Sequence, residues 1–435
     1  MNHQLLNPQQ LQTRQQELRH QYEAVSARKL NLDLTRGKPS TEQLSLSDEL
    51  DGNLKGNYKC QDGSDARNYG GIMGIPEARK LAADYLQTTP ARIMVGGNSS
   101  LQFMYQLVTS ALYQGVRGAD SAWSREAAET GGTVKFLCPA PGYDRHFAIC
   151  ESLSIEMIPV SMNAEGPDMN QVEELLKADS LIKGIWCVPK YANPDGVVYS
   201  DAVVARMATL GKIAGANFRI FWDNAYAEHH LVDNPPELAN ILALSEAAGT
   251  PDNVMVIGST SKITHAGAGI SFIATSEANL ASFADQLNIA TIGPDKINQL
   301  RHVHFLKDMP TLRALMQRHR GILQPKFEAL LNVLEQGLGG KNINGKALGN
   351  WTKPQGGYFV LFNTQPGLAD TVVKLTAAAG VKLTPAGSTY PYRKDPANTN
   401  IRLAPSFPSL PEIEAAMQVF VLCVELATVE RELGV

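Results

Sequence analysis

From about residue 90 to residue 275, short apolar runs rich in β-forming residues alternate with helical stretches. The runs are Val134–Cys138, Ile182–Val188, Phe218–Trp222, Val254–Ile257 and Ile270–Ala274. Such alternation predicts an α/β fold: a mostly parallel sheet covered on both faces, with ligand sites beyond the strand ends. Residues 8–29 set Leu11, Leu18, Tyr22 and Val25 on one helical stripe amid polar positions, the pattern of a surface helix packed on a smaller domain. After Pro310 a long polar-apolar helical region leads to Gly356–Phe362, and Leu410–Leu422 reads as an amphipathic helix that closes a smaller α+β unit. The expected division is an N-terminal helix and arm over 1–50 that joins the small domain, a large domain over 51–310, and a C-terminal small domain over 311–435. No internal repeat, low-complexity tract or disordered linker interrupts it.

Composition narrows the class without adding chemistry. The 435 residues suffice for two domains. With 39 basic against 43 acidic residues, a net charge of −4 and no basic block, nothing favours nucleic acid or an anionic membrane. Cys60, Cys138, Cys150, Cys187 and Cys423 are odd in number and far apart, and they read as small buried hydrophobes rather than disulfides or metal ligands. The first ten residues lack the charged and apolar regions of a signal peptide, and no apolar run approaches the ~20 residues of a membrane span. The expected compartment is the cytoplasm.

The chemistry gathers at two strand ends. Lys262 follows Val254–Ile257 in a hydroxyl- and glycine-rich turn, and Asp223 closes the run Phe218–Trp222, thirty-nine residues earlier. A lysine amine forms an imine with an aldehyde cofactor, and a carboxylate keeps a pyridine nitrogen protonated so that the ring accepts electrons from a substrate's Cα. Together they point to pyridoxal 5'-phosphate. Singly they do not, since a lysine after a strand is commonly a surface lysine and an aspartate there commonly forms a turn. Asn98, Ser99 and Ser100, before the helical run Leu101–Leu112, offer N–H groups and hydroxyls at a helix N-terminus, a phosphate site or simply a cap.

In this order the segments resemble the pyridoxal-phosphate enzymes of the aspartate aminotransferase fold type, from about residue 30 to the C-terminus. Asn193-Pro-Asp-Gly is similar to the family's Asn-Pro-x-Gly turn, whose asparagine reaches the cofactor's phenolic oxygen and the substrate carboxylate. Asp223 and Tyr226 match the ring-nitrogen carboxylate and the tyrosine on the same phenolic oxygen. Ser259-Thr-Ser-Lys262 matches a Ser-x-Ser-Lys segment, so Ser259 and Ser261 are implied phosphate ligands and Lys262 the imine lysine. Arg402, in Asn400-Ile-Arg-Leu-Ala-Pro, matches the arginine for the substrate α-carboxylate, as a guanidinium fork suits a planar anion. Asn98, Ser99 and Ser100 fall at the phosphate cup, Tyr143 where an aromatic stacks on the pyridine, and His146 where a histidine can back the ring-binding aspartate. Tyr69 matches a tyrosine that crosses to the neighbouring subunit's phosphate, which implies a homodimer with shared active sites. The resemblance implies a seven-stranded, mostly parallel sheet in the large domain.

Two departures stand out. The phosphate-binding arginine that relatives carry seven or eight residues after the lysine is replaced by Gly269 and Ile270, and a distal-carboxylate lysine of one subgroup is replaced by Asn98. Arg36 and Lys38, flanking the substrate-facing Gly37, are either the replacement selector or solvated charges on a loop. The wording of Thr35-Arg-Gly-Lys-Pro and Ser259-Thr-Ser-Lys-Ile-Thr is most similar to the divergent bacterial subgroup Ic. The expected activity is transamination of aspartate or glutamate with 2-oxoglutarate. Another amino donor (alanine, an aromatic residue or 2-aminoadipate) and a pyridoxal-phosphate lyase or decarboxylase share the fold. A cofactor-sensing regulator domain would need a DNA-binding module, for which the residues before Leu32 leave no room.

Overall fold

A computed structural model describes residues 7–435; residues 1–6, which the expected N-terminal arm includes, lie outside it. The large sheet is built from β1 (Ile93–Val95), β2 (Lys135–Ala140), β3 (Glu156–Asn163), β4 (Gly166–Pro167), β5 (Ile182–Cys187), β6 (Arg219–Asp223), β7 (Val254–Ser259) and β8 (Ser271–Ala274). Their order across the sheet is β1-β8-β7-β6-β5-β2-β3-β4. The β7-β6-β5-β2-β3 core is parallel, and β8 runs against both of its neighbours. Seven strands thus make the expected mostly parallel sheet, and the two-residue β4 adds an antiparallel edge that the sequence does not announce.

Every residue of β6 and β7 is buried, because helices cover both faces of the sheet. Ile220, Trp222, Val254 and Val256 pack to one side, while Phe221, Met255 and Ile257 pack to the other with Phe136 and Trp186. This two-sided burial is why the runs are continuously apolar. It also leaves the loops after β1, β2, β5, β6 and β7 at one end of the sheet.

Five helices matter for the site: α1 (Pro8–Ser26), α2 (Ser100–Tyr113), α3 (Asp144–Ser152), α4 (Met309–Leu338) and α5 (Leu410–Leu433). A third core joins Leu11 and Leu18 of α1 to α4, α5 and a three-stranded antiparallel sheet of β9 (Gly349–Trp351), β10 (Val360–Thr364) and β11 (Asn400–Leu403). The α5 helix is amphipathic over Leu410–Leu422 as expected, but it runs on to Leu433. From Val419 to Glu430 nearly every side chain is buried, since α1 and α4 enclose it, and Arg14 and Arg19 of α1 reach Glu425 (2.6 Å) and Glu430 (2.5 Å). All five cysteines are buried and unpaired.

Candidate active site

Asp223 ends β6 in register with Ile257 of β7, five residues before Lys262, so the two side chains enter one small cavity. Its walls include Ser100, Leu101 and Met104 of α2, Tyr143, Asn193, Tyr226 and Lys262. The Lys262 Nζ lies over the Tyr226 ring, 4.9 Å from its centroid, and 5.9 Å from that of Tyr358. A larger cleft lies elsewhere, along Lys190, Glu228 and Arg313, but its buried carboxylate is already paired, Glu228 with Arg313 at 3.2 Å and with His230 at 3.7 Å.

Asp223 is unevenly satisfied. Its Oδ2 accepts from His146 Nε2 at 3.1 Å, whereas its Oδ1 is buried without any partner. A buried acceptor left open costs about 1–3 kcal/mol, so the geometry calls for a donor from a bound group. His146 is fixed in turn by stacking on Trp186, ring centroids 4.4 Å apart and nearly parallel, and by the edge of Tyr143 at 4.9 Å. Burial raises the Tyr226 hydroxyl well above the ordinary phenol range, with Asp223 adding to it, and pushes Tyr143 up to about 12. Both phenols are therefore hydrogen-bond donors at neutral pH.

At the opposite end, Ser99 caps α2 by accepting from the Gln102 N–H at 3.2 Å, and Ser100 faces the cavity. The Ser259 and Ser261 hydroxyls lie 2.7 Å apart; Ser261 also donates to the Asn98 carbonyl at 3.1 Å, and Asn98 Nδ2 donates to the Gly267 carbonyl at 3.0 Å. The hydroxyls and the N-terminus of α2 thus form a turn suited to an anion. A side chain at position 269 would press on the lysine turn. A Cβ on Gly269 would stand 3.0 Å from the Ser261 nitrogen, and the neighbouring Ile270 is buried with its N–H donated to Thr260 Oγ1 at 2.9 Å.

Arg402, buried on β11, donates through Nη1 to Asn193 Oδ1 (3.2 Å) and Asp144 Oδ1 (3.0 Å), and through Nη2 to Thr384 Oγ1 (3.3 Å). Its guanidinium lies 4.9 Å from the centroid of Phe359, and Gly37 packs on that ring so closely that a Cβ would sit 2.5 Å from it. Arg402, Asn193, Gly37, Asp223 and Lys262 therefore form one continuous assembly. Tyr69, 83% exposed, is not part of this chain's cavity. Arg36 is exposed, and Lys38 lies against the Phe407 ring at 3.8 Å.

Several participants escaped the sequence reading. Tyr358 donates to the Lys262 carbonyl at 3.5 Å, and His229 Nε2 meets the same oxygen at 3.4 Å. His319 Nε2 donates to the Ile263 carbonyl at 2.9 Å, and Gln43 Nε2 joins His319 (3.2 Å) to Tyr358 (3.0 Å), so the N-terminal arm braces the lysine turn. Burial, then Lys262 and His319, drives His229 down to about 3 and keeps it neutral. The only sequence signal near these residues is the Gly356-Gly-Tyr turn.

The sequence pattern of the aspartate amino-transferase family matches residues 6–435. The chain belongs to that family. The aminotransferase is 43% identical over 419 residues to an aspartate aminotransferase of Corynebacterium glutamicum, a match that covers 96% of this chain and 94% of that protein. A crystal structure of an aspartate transaminase from the same organism superposes with a TM-score of 0.92 at 42% identity, over 98% of each chain. The α-aminoadipate aminotransferase of Thermus thermophilus, solved with N-(5'-phosphopyridoxyl)-L-leucine, shares the fold at 18% identity, with a TM-score of 0.73 over 93% of this chain and 95% of that one. The protein is accordingly a transaminase of α/β architecture. Among the described residues, no helix is long and apolar enough to cross a membrane.

Proposed function

We propose that this aminotransferase uses pyridoxal 5'-phosphate to move the amino group of aspartate or glutamate to 2-oxoglutarate. The observation that carries the proposal is the open Asp223 Oδ1, buried in the cavity that Lys262 enters and supported from behind by His146. Bound there, the cofactor would supply an electron sink for the substrate's Cα–H bond pair. The residues do the rest. Asp223 would hold the ring-nitrogen proton, Tyr226 and Asn193 would donate toward the phenolic oxygen, and Tyr143 would limit motion of the ring. Asn98, Ser99, Ser100, Ser259 and Ser261 with the N-terminus of α2 receive the phosphate in place of the absent arginine. Lys262 would hold the cofactor covalently, and its Nζ, once free, would carry the Cα proton. Arg402 orients the α-carboxylate, beside Gly37.

Aspartate as donor is favoured by the nearly full-length likeness to the C. glutamicum enzyme. Arg36 is our candidate for the distal carboxylate because its guanidinium is exposed on the arm that runs past Gly37. Tyr69, turned outward, suits completion of a second copy's phosphate site, which would make the working form a homodimer. The proposed domain division is 1–50 with 311–435 against 51–310, which sets Arg402 and Lys262 on opposite sides of a seam that can close over substrate. We place the enzyme in the cytoplasm.

A single-turnover experiment tests the reaction. Loaded enzyme mixed with aspartate alone should release stoichiometric oxaloacetate and retain the nitrogen, which 2-oxoglutarate should then recover as glutamate. Release of ammonia or carbon dioxide instead would contradict transamination.

A further inference from the structure

Arg402 is not waiting with an open fork. Both hydrogens of its Nη1 are committed, one to Asp144 Oδ1 at 3.0 Å and one to Asn193 Oδ1 at 3.2 Å, and Nη2 gives one hydrogen to Thr384 Oγ1 at 3.3 Å. Its Nε is buried and has no partner. A carboxylate bound in bidentate fashion needs two parallel N–H groups along one edge of the guanidinium. One of its terminal nitrogens, Nη1, is therefore already held by a carboxylate, that of Asp144.

We propose that Asp144 occupies the place of the substrate's α-carboxylate on Arg402 in the free enzyme and is displaced when substrate binds, so that it sets how tightly the site takes a carboxylate. The inference rests on the reading of Arg402 as the α-carboxylate site. Asp144 and Arg402 are unequal partners: the arginine side chain is 7% exposed, the aspartate 34%. The arginine is fixed by Asn193, Thr384 and the Phe359 ring, whereas Asp144 can turn toward water without uncovering a core side chain. Its backbone is the first residue of α3, where the helix's free N–H groups favour a negative charge, so the displaced carboxylate remains well placed. Two carboxylates on one guanidinium repel at such short range, and binding of substrate therefore works against Asp144. In return, the resident carboxylate keeps a buried cation paired while the site is empty.

The test compares wild type with Asp144→Asn and Asp144→Ser as loaded holoenzymes, both replacements being tolerated at a helix start. Binding of succinate, which has two carboxylates and no amine, is titrated, and KM and kcat are measured with aspartate. Removing the competitor should tighten succinate binding roughly two- to five-fold, the scale of one partly exposed charge contact, and lower KM for aspartate with a smaller change in kcat. Unchanged or weaker succinate binding in both variants would overturn the proposal and make Asp144 a tether for Arg402. Arg402→Ala serves as the control for the underlying reading: wild-type succinate affinity in that variant would remove Arg402 as the carboxylate site, whatever Asp144 does.

Discussion

Asp223 gives one carboxylate oxygen to His146 at 3.1 Å and keeps the other buried with no partner. His146 thus orients and supports the carboxylate while leaving its second oxygen for a ring N–H. Asp223→Ala should keep covalently bound, coloured cofactor and lose turnover by about 10²–10³, the scale for removing a charge aimed at the reacting centre. His146→Ala should give a milder loss. Absorbance and kcat measured on the same samples check both, and normal turnover in a fully loaded Asp223→Ala protein would remove that residue as the ring partner.

The two arginines should separate by substrate. Arg402→Ala should weaken every amino acid alike, because each carries an α-carboxylate, whereas Arg36→Ala should injure dicarboxylic substrates alone. A kcat/KM comparison of aspartate with alanine decides it. Equal losses in the Arg36 variant would leave the exposed guanidinium as a solvated charge.

Lys262, Asp223 and Asn193 were legible because each stands in a local motif at a strand end, where the buried parallel sheet delivers side chains to one rim. Arg402 was legible for a similar reason, in its short β11 segment. Gln43, His229, His319, Tyr358 and Asp144 come together only through packing between segments far apart in sequence, and no local pattern signals that. The first half of α5 was legible because Glu412, Glu414 and Gln418 give it a polar face, whereas its buried second half is set by the position of α1 and α4. Strands β1 and β3 went unread, the first for its three residues and the second because many of its side chains are exposed.

Restoring the family's arginine should harm this site. At Gly269 any Cβ presses on the Ser261 backbone at 3.0–3.1 Å, so Gly269→Arg must shift the turn that carries the phosphate hydroxyls. Overpacking of this kind costs about 1–3 kcal/mol. Equilibrium dialysis should show weaker cofactor binding in the variant, and tighter binding would mean that the turn can yield.

Asp195, in the Asn193-Pro-Asp-Gly turn, is pushed up to about 7 by burial against an ordinary 3.8. Its folded form therefore holds a proton that the unfolded chain gives up, and its contribution to stability, full below 3.8, is lost as pH rises toward 7 and beyond. The loss is about 4 kcal/mol at most, at ~1.4 kcal/mol per pH unit. Asp195→Asn should flatten the fall in melting temperature between about pH 4 and about pH 7 relative to wild type. Parallel melting curves for the two proteins would show that this carboxyl does not carry the effect.

The central claim is that Lys262 holds the cofactor in the cavity it shares with Asp223. Borohydride reduction of the loaded protein followed by peptide mapping should place the pyridoxyl label on Lys262 alone, and Lys262→Ala should take up no label while still binding cofactor reversibly. Label on any other lysine, or on none, would contradict the account of the site.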